Sequence, residues 1–222
     1  MQALDVITVK GSKIHFVDVV RGLKSEANRV KLAIQEVKPD LIAMSVSKEE
    51  IEGLRDYIKE PYEVEMSRYE ELYAKNLSRF GDVFLPPPCF LAGLEEAENN
   101  RLELVGVDMD DETHTAAYCA LVSGSELFRH TTRFNLLKLK SFRAGTPADF
   151  VKIWDKKVNN LRGFRELEKE RERFMAKELD RISGGGNRKI LAIIDLERSE
   201  GVRIRLRGPV TEEPPRPPPL DR

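Results

Sequence analysis

The chain has 222 residues, 41% of them apolar and 34% charged, and a chain of this size buries a sizeable core. Its 37 basic and 38 acidic residues nearly cancel, so the net charge of −1 excludes a broadly cationic nucleic-acid or membrane-surface binder. A balanced surface rich in Lys, Arg and Glu is also typical of heat-adapted proteins.

The N-terminal residues predict a hairpin followed by a helix. Two β-favouring runs, Asp5–Val9 and Ile14–Val20, flank a short segment with the Gly and Ser of a tight turn. Apolar residues then recur at helical spacing from Val30 to Val37. The Lys38-Pro39 pair ends this helix, because a residue before proline is pushed out of the α region.

A strand and three further helices are predicted next. Leu41–Val46 has the continuous apolar character of a buried strand, and Ser47 opens a capping-box pattern that begins a helix. The order hairpin, helix, strand predicts parallel strands joined by a right-handed crossover. Helical patterns follow over residues 66–77 and over Phe90–Ala97.

The second half repeats the alternation of strand and helix. Predicted strands are Leu102–Val107, Lys189–Ile194 and, after a polar turn at Asp195–Gly201, Val202–Leu206. Predicted helices are Thr113–Val122, Thr132–Phe142, and a long one that begins at Thr146-Pro147, is interrupted near Gly163 and ends at Ile182. Gly124 and Gly145 are interpreted as breaks between helices. The long apolar stripe of the last helix is expected to cover the sheet.

The whole pattern predicts an α/β domain over residues 1–207, with a mainly parallel sheet flanked by helices, an N-terminal hairpin and a long helix in the C-terminal half. Residues 208–222 are rich in proline and predict a disordered tail. Cys89 and Cys119 are expected to be free thiols. With no signal-peptide pattern and no membrane-length apolar run, we expect a cytoplasmic location.

Polar side chains follow the predicted buried strands, at the point where each strand ends. They are Asp18 and Arg21, Ser45 and Ser47, Asp108, Asp110 and Asp111, and Asp195, Glu197 and Arg198. Parallel strands would gather these groups at one edge of the sheet, where ligands bind in open α/β folds. The carboxylates suit a hard cation such as Mg²⁺, and the arginines suit an anion. Each residue also has a structural interpretation: helix capping by Asp110 or Asp111, an Asx turn at Asp195, or pairing of arginine with these carboxylates.

Several segments, in this order, resemble the TraB/PrgY family, whose members are relatives of the TIKI proteins. They are IHFVDVVRG, KPDLIAMSVSKEE, LPPPCF, LELVGVDMD, ERERFMAKEL and RKILAIIDLERSEGV, and they span Ile14 to Val202. The resemblance implies an α/β fold and a metal-dependent hydrolase or peptidase.

The polar signature implied by that resemblance is largely replaced here. Arg21 and Arg198 stand where the family has histidines, Ser45 replaces a glutamate and Ser47 an aspartate. What remains is the Gly106–Asp108 strand end and the Glu170-Arg171 pair. A guanidinium carries no lone pair for a metal and stays cationic, so two arginines at ligand positions disfavour a divalent ion.

We therefore expect a binding protein rather than an enzyme, with a family-type scaffold, no cofactor and an anionic ligand at the strand ends. The candidate ligand-binding residues are Asp18, Arg21, Ser45, Asp108, Glu170, Arg171, Asp195 and Arg198. One alternative is a metal-dependent hydrolase that uses Asp18, Asp108 and Asp195. Another is an interaction module that contacts a partner, or a second copy of the chain, through the long helix or the Pro-rich tail.

Overall fold

The computed structural model describes residues 4–137 and 142–208, and those residues form a sheet flanked by helices. The strands are β1 (Asp5–Val9), β2 (Ser12–Val19), β3 (Leu41–Met44), β4 (Glu103–Gly106) and β5 (Lys189–Asp195). The helices are α1 (Ser25–Val37), α2 (Lys48–Lys59), α3 (Arg68–Leu77), α4 (Pro88–Asn100), α5 (Asp111–Leu121), α6 (Gly124–Leu137), α7 (Pro147–Val158), α8 (Arg162–Ile182) and α9 (Leu196–Arg207). The α/β prediction is confirmed.

The strand order is β1-β2-β5-β3-β4. β1 and β2 form the predicted antiparallel hairpin, and β2, β5, β3 and β4 run parallel. Alternate residues of β2 therefore face opposite layers: Val17 and Val19 pack in the core with α1 and α4, whereas Ile14 and Phe16 pack in the core with α8. All four parallel strands end at the same edge, as the sequence predicts.

Helix α8 covers one face of this sheet. Its buried residues include Leu167, Met175, Ala176 and Leu179, and the last three pack in the same core as Ile14 and Phe16. The interpretation of the apolar stripe as core packing is confirmed, so this stripe is not free for a partner. The predicted interruption lies at residues 159–161, between α7 and α8.

The predicted turn at Asp195–Gly201 and the predicted strand at Val202–Leu206 are wrong, because β5 extends to Asp195 and helix α9 covers all the residues that follow, from Leu196 to Arg207. The buried positions of α9 are Arg198, Ser199, Val202 and Arg203, which have helical spacing but are mostly polar. Val202 packs in the hydrophobic core, whereas Arg198, Ser199 and Arg203 are buried against carboxylate partners on neighbouring elements. The apolar residues of this segment therefore do not recur at helical spacing. The arginines alternate with apolar residues instead, which is the pattern that predicts a strand.

The predicted helix at Thr132–Phe142 is also wrong in its start, since α6 begins at Gly124. Ser123 and Glu126 form a capping box: the Glu126 N–H donates to Ser123 Oγ at 3.3 Å, and the Ser123 N–H donates to Glu126 Oε2 at 3.3 Å. Gly124 therefore stands at a helix start rather than in a break. The end of this prediction, residues 138–141, lies outside the described residues.

Two further sequence predictions concern the C-terminal tail and membrane-spanning segments. The disordered-tail prediction falls mostly on residues 209–222, which lie outside them. Within residues 4–137 and 142–208, no helix has both the length and the apolar character needed to cross a membrane.

The end of β4 allows no side chain at Gly106. A Cβ atom there would lie 2.6 Å from the Val46 carbonyl oxygen and 2.9 Å from the Ser47 carbonyl carbon, both backbone atoms. We expect Gly106→Ala to lower the free energy of unfolding by about 1–3 kcal/mol, measured by urea titration, because the strands must separate. Gly53→Ala is the matched control: it meets open space inside α2 and should raise that free energy by up to about 1 kcal/mol. Equal effects of the two substitutions would contradict this account.

Candidate functional site

A cleft of about 600 Å³ lies at the carboxyl-end edge of the parallel strands. Its floor contains Arg21, Asp195 and Arg171, which come from the ends of β2 and β5 and from the middle of α8. Its walls come from α2, α3 and the segments before α3 and α4. They include Glu50, Gly53, Leu54, Tyr62, Val64, Tyr69, Glu70, Tyr73, Pro86 and Pro87.

Arg21 is fixed in the floor by Asp195. The Arg21 Nε–H donates to Asp195 Oδ1 at 3.2 Å, and Nη2 donates to Asp195 Oδ2 at 2.9 Å and to the Ser45 carbonyl at 3.2 Å. The guanidinium also lies 5.0 Å above the ring centre of the buried Phe90. Burial alone would lower the pKa of Arg21, but Asp195 raises it, so Arg21 stays cationic. Within the part of the chain that the structure describes, its Nη1 group has only Glu50, at 3.8 Å, as an ion-pair partner.

Ser45 supports this pair from behind the floor. Its side chain is fully buried, and Ser45 Oγ accepts a hydrogen bond from the Asp195 N–H at 3.0 Å. Since Arg21 bonds the carbonyl of the same residue, Ser45 connects both members of the pair to the end of β3. A serine at this position is therefore a structural link rather than a group exposed to a ligand.

Arg171 is held by two carboxylates. Its Nη2 donates to Asp108 Oδ2 at 2.5 Å, its Nε–H donates to Asp108 Oδ1 at 3.4 Å, and its Nη1 donates to Glu168 Oε2 at 3.0 Å. Asp108 is itself buried and accepts the Met109 N–H at 2.8 Å. Asp108, which follows β4, therefore does not line the cleft itself; it contacts Arg171, which does.

Arg198 faces away from the cleft. It is almost fully buried between α7 and α8, where it pairs with Asp155, with Glu168 at 3.3 Å and with Glu172 at 3.4 Å. Because the residue lies in helix α9, its side chain points to the neighbouring helices instead of continuing the direction of β5. An anion held jointly by Arg21, Arg171 and Arg198 is not what this arrangement offers; only the first two line the cleft.

Two other candidate residues also lie elsewhere. Asp18 points to α9, where it accepts two hydrogen bonds from Arg203, both at 2.8 Å, and one from Ser199 Oγ at 2.5 Å. Glu170 pairs with Arg173 on α8. Of the strand-end residues outside the candidate set, Ser47 caps α2 with a capping box to Glu50, and Asp110 caps α5 by accepting the Thr113 N–H at 2.7 Å.

The three aspartates of the metal-site alternative are thus separated, each on its own arginine. Asp18 is bound to Arg203, while Asp108 and Asp195 are bound to the two arginines of the cleft floor. Among the residues that the structure describes, no group of three or more His, Cys, Asp or Glu side chains is arranged to hold a metal ion. A metal would have to displace these guanidinium groups from their carboxylates.

Glu197 is a cleft residue that the strand-end pattern includes but does not single out. It lies in the first turn of α9 and borders the cleft, next to Asp195. The residue as a whole is only partly covered, but its Oε2 atom is buried and has no hydrogen-bond partner among the described residues. Burial, together with the charge of Asp195, raises the pKa of Glu197 to about 8 despite the opposing charges of Arg21 and Arg171.

Tyrosines form one wall of the cleft. The Tyr73 hydroxyl donates to the Arg21 carbonyl at 3.3 Å, and Tyr69 Oη accepts the Trp154 indole N–H at 2.7 Å. Tyr69 and Tyr62 are 41% and 55% exposed, so their rings are accessible to a ligand. In the sequence Tyr69 and Tyr73 read only as the apolar stripe of a helix, which gives no signal of a binding surface.

No protein-family model matches this sequence, and no curated protein shows significant similarity to it. The resemblance to the TraB/PrgY family therefore stays a prediction from the motifs.

The buried Arg198 cluster generates a stability prediction. Arg198→Ala leaves Glu168 and Glu172 with less compensation and should lower the free energy of unfolding by about 3–5 kcal/mol. Burial raises the pKa of both carboxyls, so their protonated forms favour the fold at low pH and that advantage is lost as pH rises. Without Arg198 these pKa values rise further, and the deficit should be larger at pH 8 than at pH 5.

Urea titrations of both proteins at the two pH values measure this deficit. Arg181→Ala is the control, since its pair with Glu178 is exposed and should contribute less than about 1 kcal/mol. A pH-independent deficit would contradict the assigned role of the carboxylates.

Glu197 generates a second stability prediction, in which the variant becomes more stable than the parent protein as pH rises. The unfolded chain titrates this carboxyl near 4.5 and the folded protein near 8, so the parent protein loses stability as pH rises between these values. Glu197→Gln removes this titration, so its stability relative to the parent protein should rise by on the order of 4 kcal/mol between pH 5 and pH 9. Unfolding free energies at both pH values provide the measurement, and parallel pH profiles would refute the raised pKa.

Proposed function

We propose that this chain is a small-molecule-binding protein whose cleft holds an anionic group against Arg21 and Arg171. The observation that carries the proposal is the pair of guanidinium groups fixed by buried aspartates in the floor of the cleft. A cleft of about 600 Å³ is large enough to enclose a metabolite, and its tyrosines and prolines provide an apolar wall.

The two arginines are oriented in advance of binding. Asp195 and Asp108 hold their planes, so a ligand need not immobilise two long side chains. Arg21 directs most of its donors inward, which leaves the Nη1 group for a ligand oxygen. Because the aspartates partly offset the positive charge, affinity would come from directed hydrogen bonds rather than from a broad positive field.

The resemblance to the TraB/PrgY family agrees with a scaffold that has lost its hydrolytic centre. Arg21 and Arg198 occupy positions where the resemblance implies histidine ligands, and both make internal ion pairs. Ser45 occupies the position of an implied glutamate and bonds the backbone of β5. Restoring a metal would require new ligands and the loss of these pairs, so we propose binding without metal-dependent hydrolysis.

A ligand screen tests the proposal. We expect at least one carboxylate or phosphate among 3-phenylpropionate, citrate and adenosine monophosphate to raise the melting temperature of the full chain. Arg21→Lys keeps a positive charge beside Asp195 but loses the planar fork, and should raise the Kd of that compound by roughly 10- to 100-fold.

Arg173→Ala is the matched control, because Arg173 lies on α8 with Arg171 but pairs only with Glu170 within the described residues. It should leave the Kd unchanged. Absence of any thermal shift across the panel, or equal Kd values for the parent and Arg21→Lys, would end support for the anion site.

A further inference from the structure

Among the described residues, the buried Glu197 Oε2 atom has no hydrogen-bond partner, although a buried carboxylate oxygen is expected to have one. Buried polar atoms in folded proteins nearly always have one, and the exceptions call for a missing water, ion or ligand. Arg21 and Arg171 lie close enough to lower the pKa of Glu197, yet the hydrogen bonds of both go to other groups: Arg21 to Asp195 and the Ser45 carbonyl, Arg171 to Asp108 and Glu168. Glu197 lines the cleft, so a molecule bound there is a partner available to its carboxyl group.

The charges around the cleft indicate which kind of ligand group could pair with Glu197. Arg21 and Arg171 are its cations, and they face a larger set of acidic side chains. The acidic residues of the lining are Glu50, Glu70, Asp195 and Glu197. A purely anionic ligand, above all a dianion, adds negative charge to this set. An ammonium group adds positive charge, offers three N–H donors and also suits the accessible tyrosine rings.

Building on the proposed function, we propose that the ligand is a zwitterion of the α-amino acid type, with its carboxylate on Arg21 and its ammonium on Glu197. The apolar wall selects the remainder of the molecule. Tyr62, Tyr69, Pro86 and Pro87 offer ring and aliphatic surface, and the volume exceeds what two charged groups require. An aromatic side chain fits this wall, because aromatic faces stack on tyrosine and proline.

Binding of this kind moves a proton. Before a ligand binds, Glu197 has a pKa of about 8 and carries a proton at pH 7. Pairing with the ligand ammonium stabilises the carboxylate, so the proton leaves the Glu197 carboxyl for the buffer while the ammonium keeps its own protons. Proton release close to one per ligand at pH 7, falling towards zero well above pH 8, is the signature of this contact.

The experiment uses the full chain and three matched sets of compounds. Phenylalanine, tyrosine and tryptophan carry both charges, their deamino acids carry only the carboxylate, and their decarboxylated amines carry only the ammonium. Kd and proton release are measured by calorimetry in buffers of different ionisation enthalpy. We expect at least one amino acid to bind at least about tenfold more tightly than both of its analogues, as for one charged hydrogen bond.

Glu197→Gln and Glu200→Gln complete the design. Glu197→Gln should abolish proton release and raise the Kd of the amino acid about tenfold or more, leaving that of the deamino acid unchanged. Glu200, on the same helix, is exposed and outside the cleft, so Glu200→Gln should change neither quantity. Unfolding curves establish that both variants are folded.

The outcomes separate this inference from the proposed function. Equal binding of an amino acid and its deamino acid overturns the ammonium contact but leaves the anion site standing. Equal binding of an amino acid and its amine refutes the anion site and retains the contact with Glu197. Failure of all three amino acids to bind overturns the zwitterion inference, whatever the anion panel gives.

Discussion

The ion pair between Arg21 and Asp195 joins the parts of the protein that a cleft needs. Asp195 ends the central strand β5 and begins α9, and Arg21 follows the neighbouring strand β2. A buried carboxylate is costly unless a cation and hydrogen bonds satisfy it, and here Arg21 donates to both carboxylate oxygens of Asp195. The buried Ser45 holds the same residue by its backbone, since Ser45 Oγ accepts the Asp195 N–H. The same solution recurs at Asp108 with Arg171. Each of these buried aspartates at a strand end is thus paired with an arginine, which offsets the cost of burying its negative charge.

These pairs also decide what the cleft can do chemically. Aspartates already engaged by guanidinium groups make poor metal ligands, but they are effective at orienting the arginines that hold them. The strand-end carboxylates therefore act on a ligand through arginine rather than directly. Glu197 differs, since its oxygen is left without a protein partner among the described residues.

The sequence was most informative where turn and capping residues predict the same element as the spacing of apolar residues. The hairpin, the buried strands and the capping boxes are marked by turn residues, apolar runs and paired Ser and Glu, so both the architecture and the edge that carries the cleft could be predicted. Helix α9 could not, because the side chains it buries are mostly polar and depend on carboxylates distant in sequence. The direction of Arg198 follows from that helix, so the same error placed it in the cleft. The tyrosine wall was missed for a different reason: an accessible ring and a core ring look alike in a helical stripe.

The strand order carries a consequence for how the molecule comes into being. β2 and β3 both lie near the start of the chain, but they are not neighbours in the sheet, because β5 lies between them. During synthesis, the first four strands therefore lack the central strand of their sheet until residue 195 has been made. Contacts of such long sequence separation slow folding and leave strand edges open to wrong partners. Because the last strand to arrive also brings Asp195 and Glu197, the cleft acquires its floor in the step that completes the sheet.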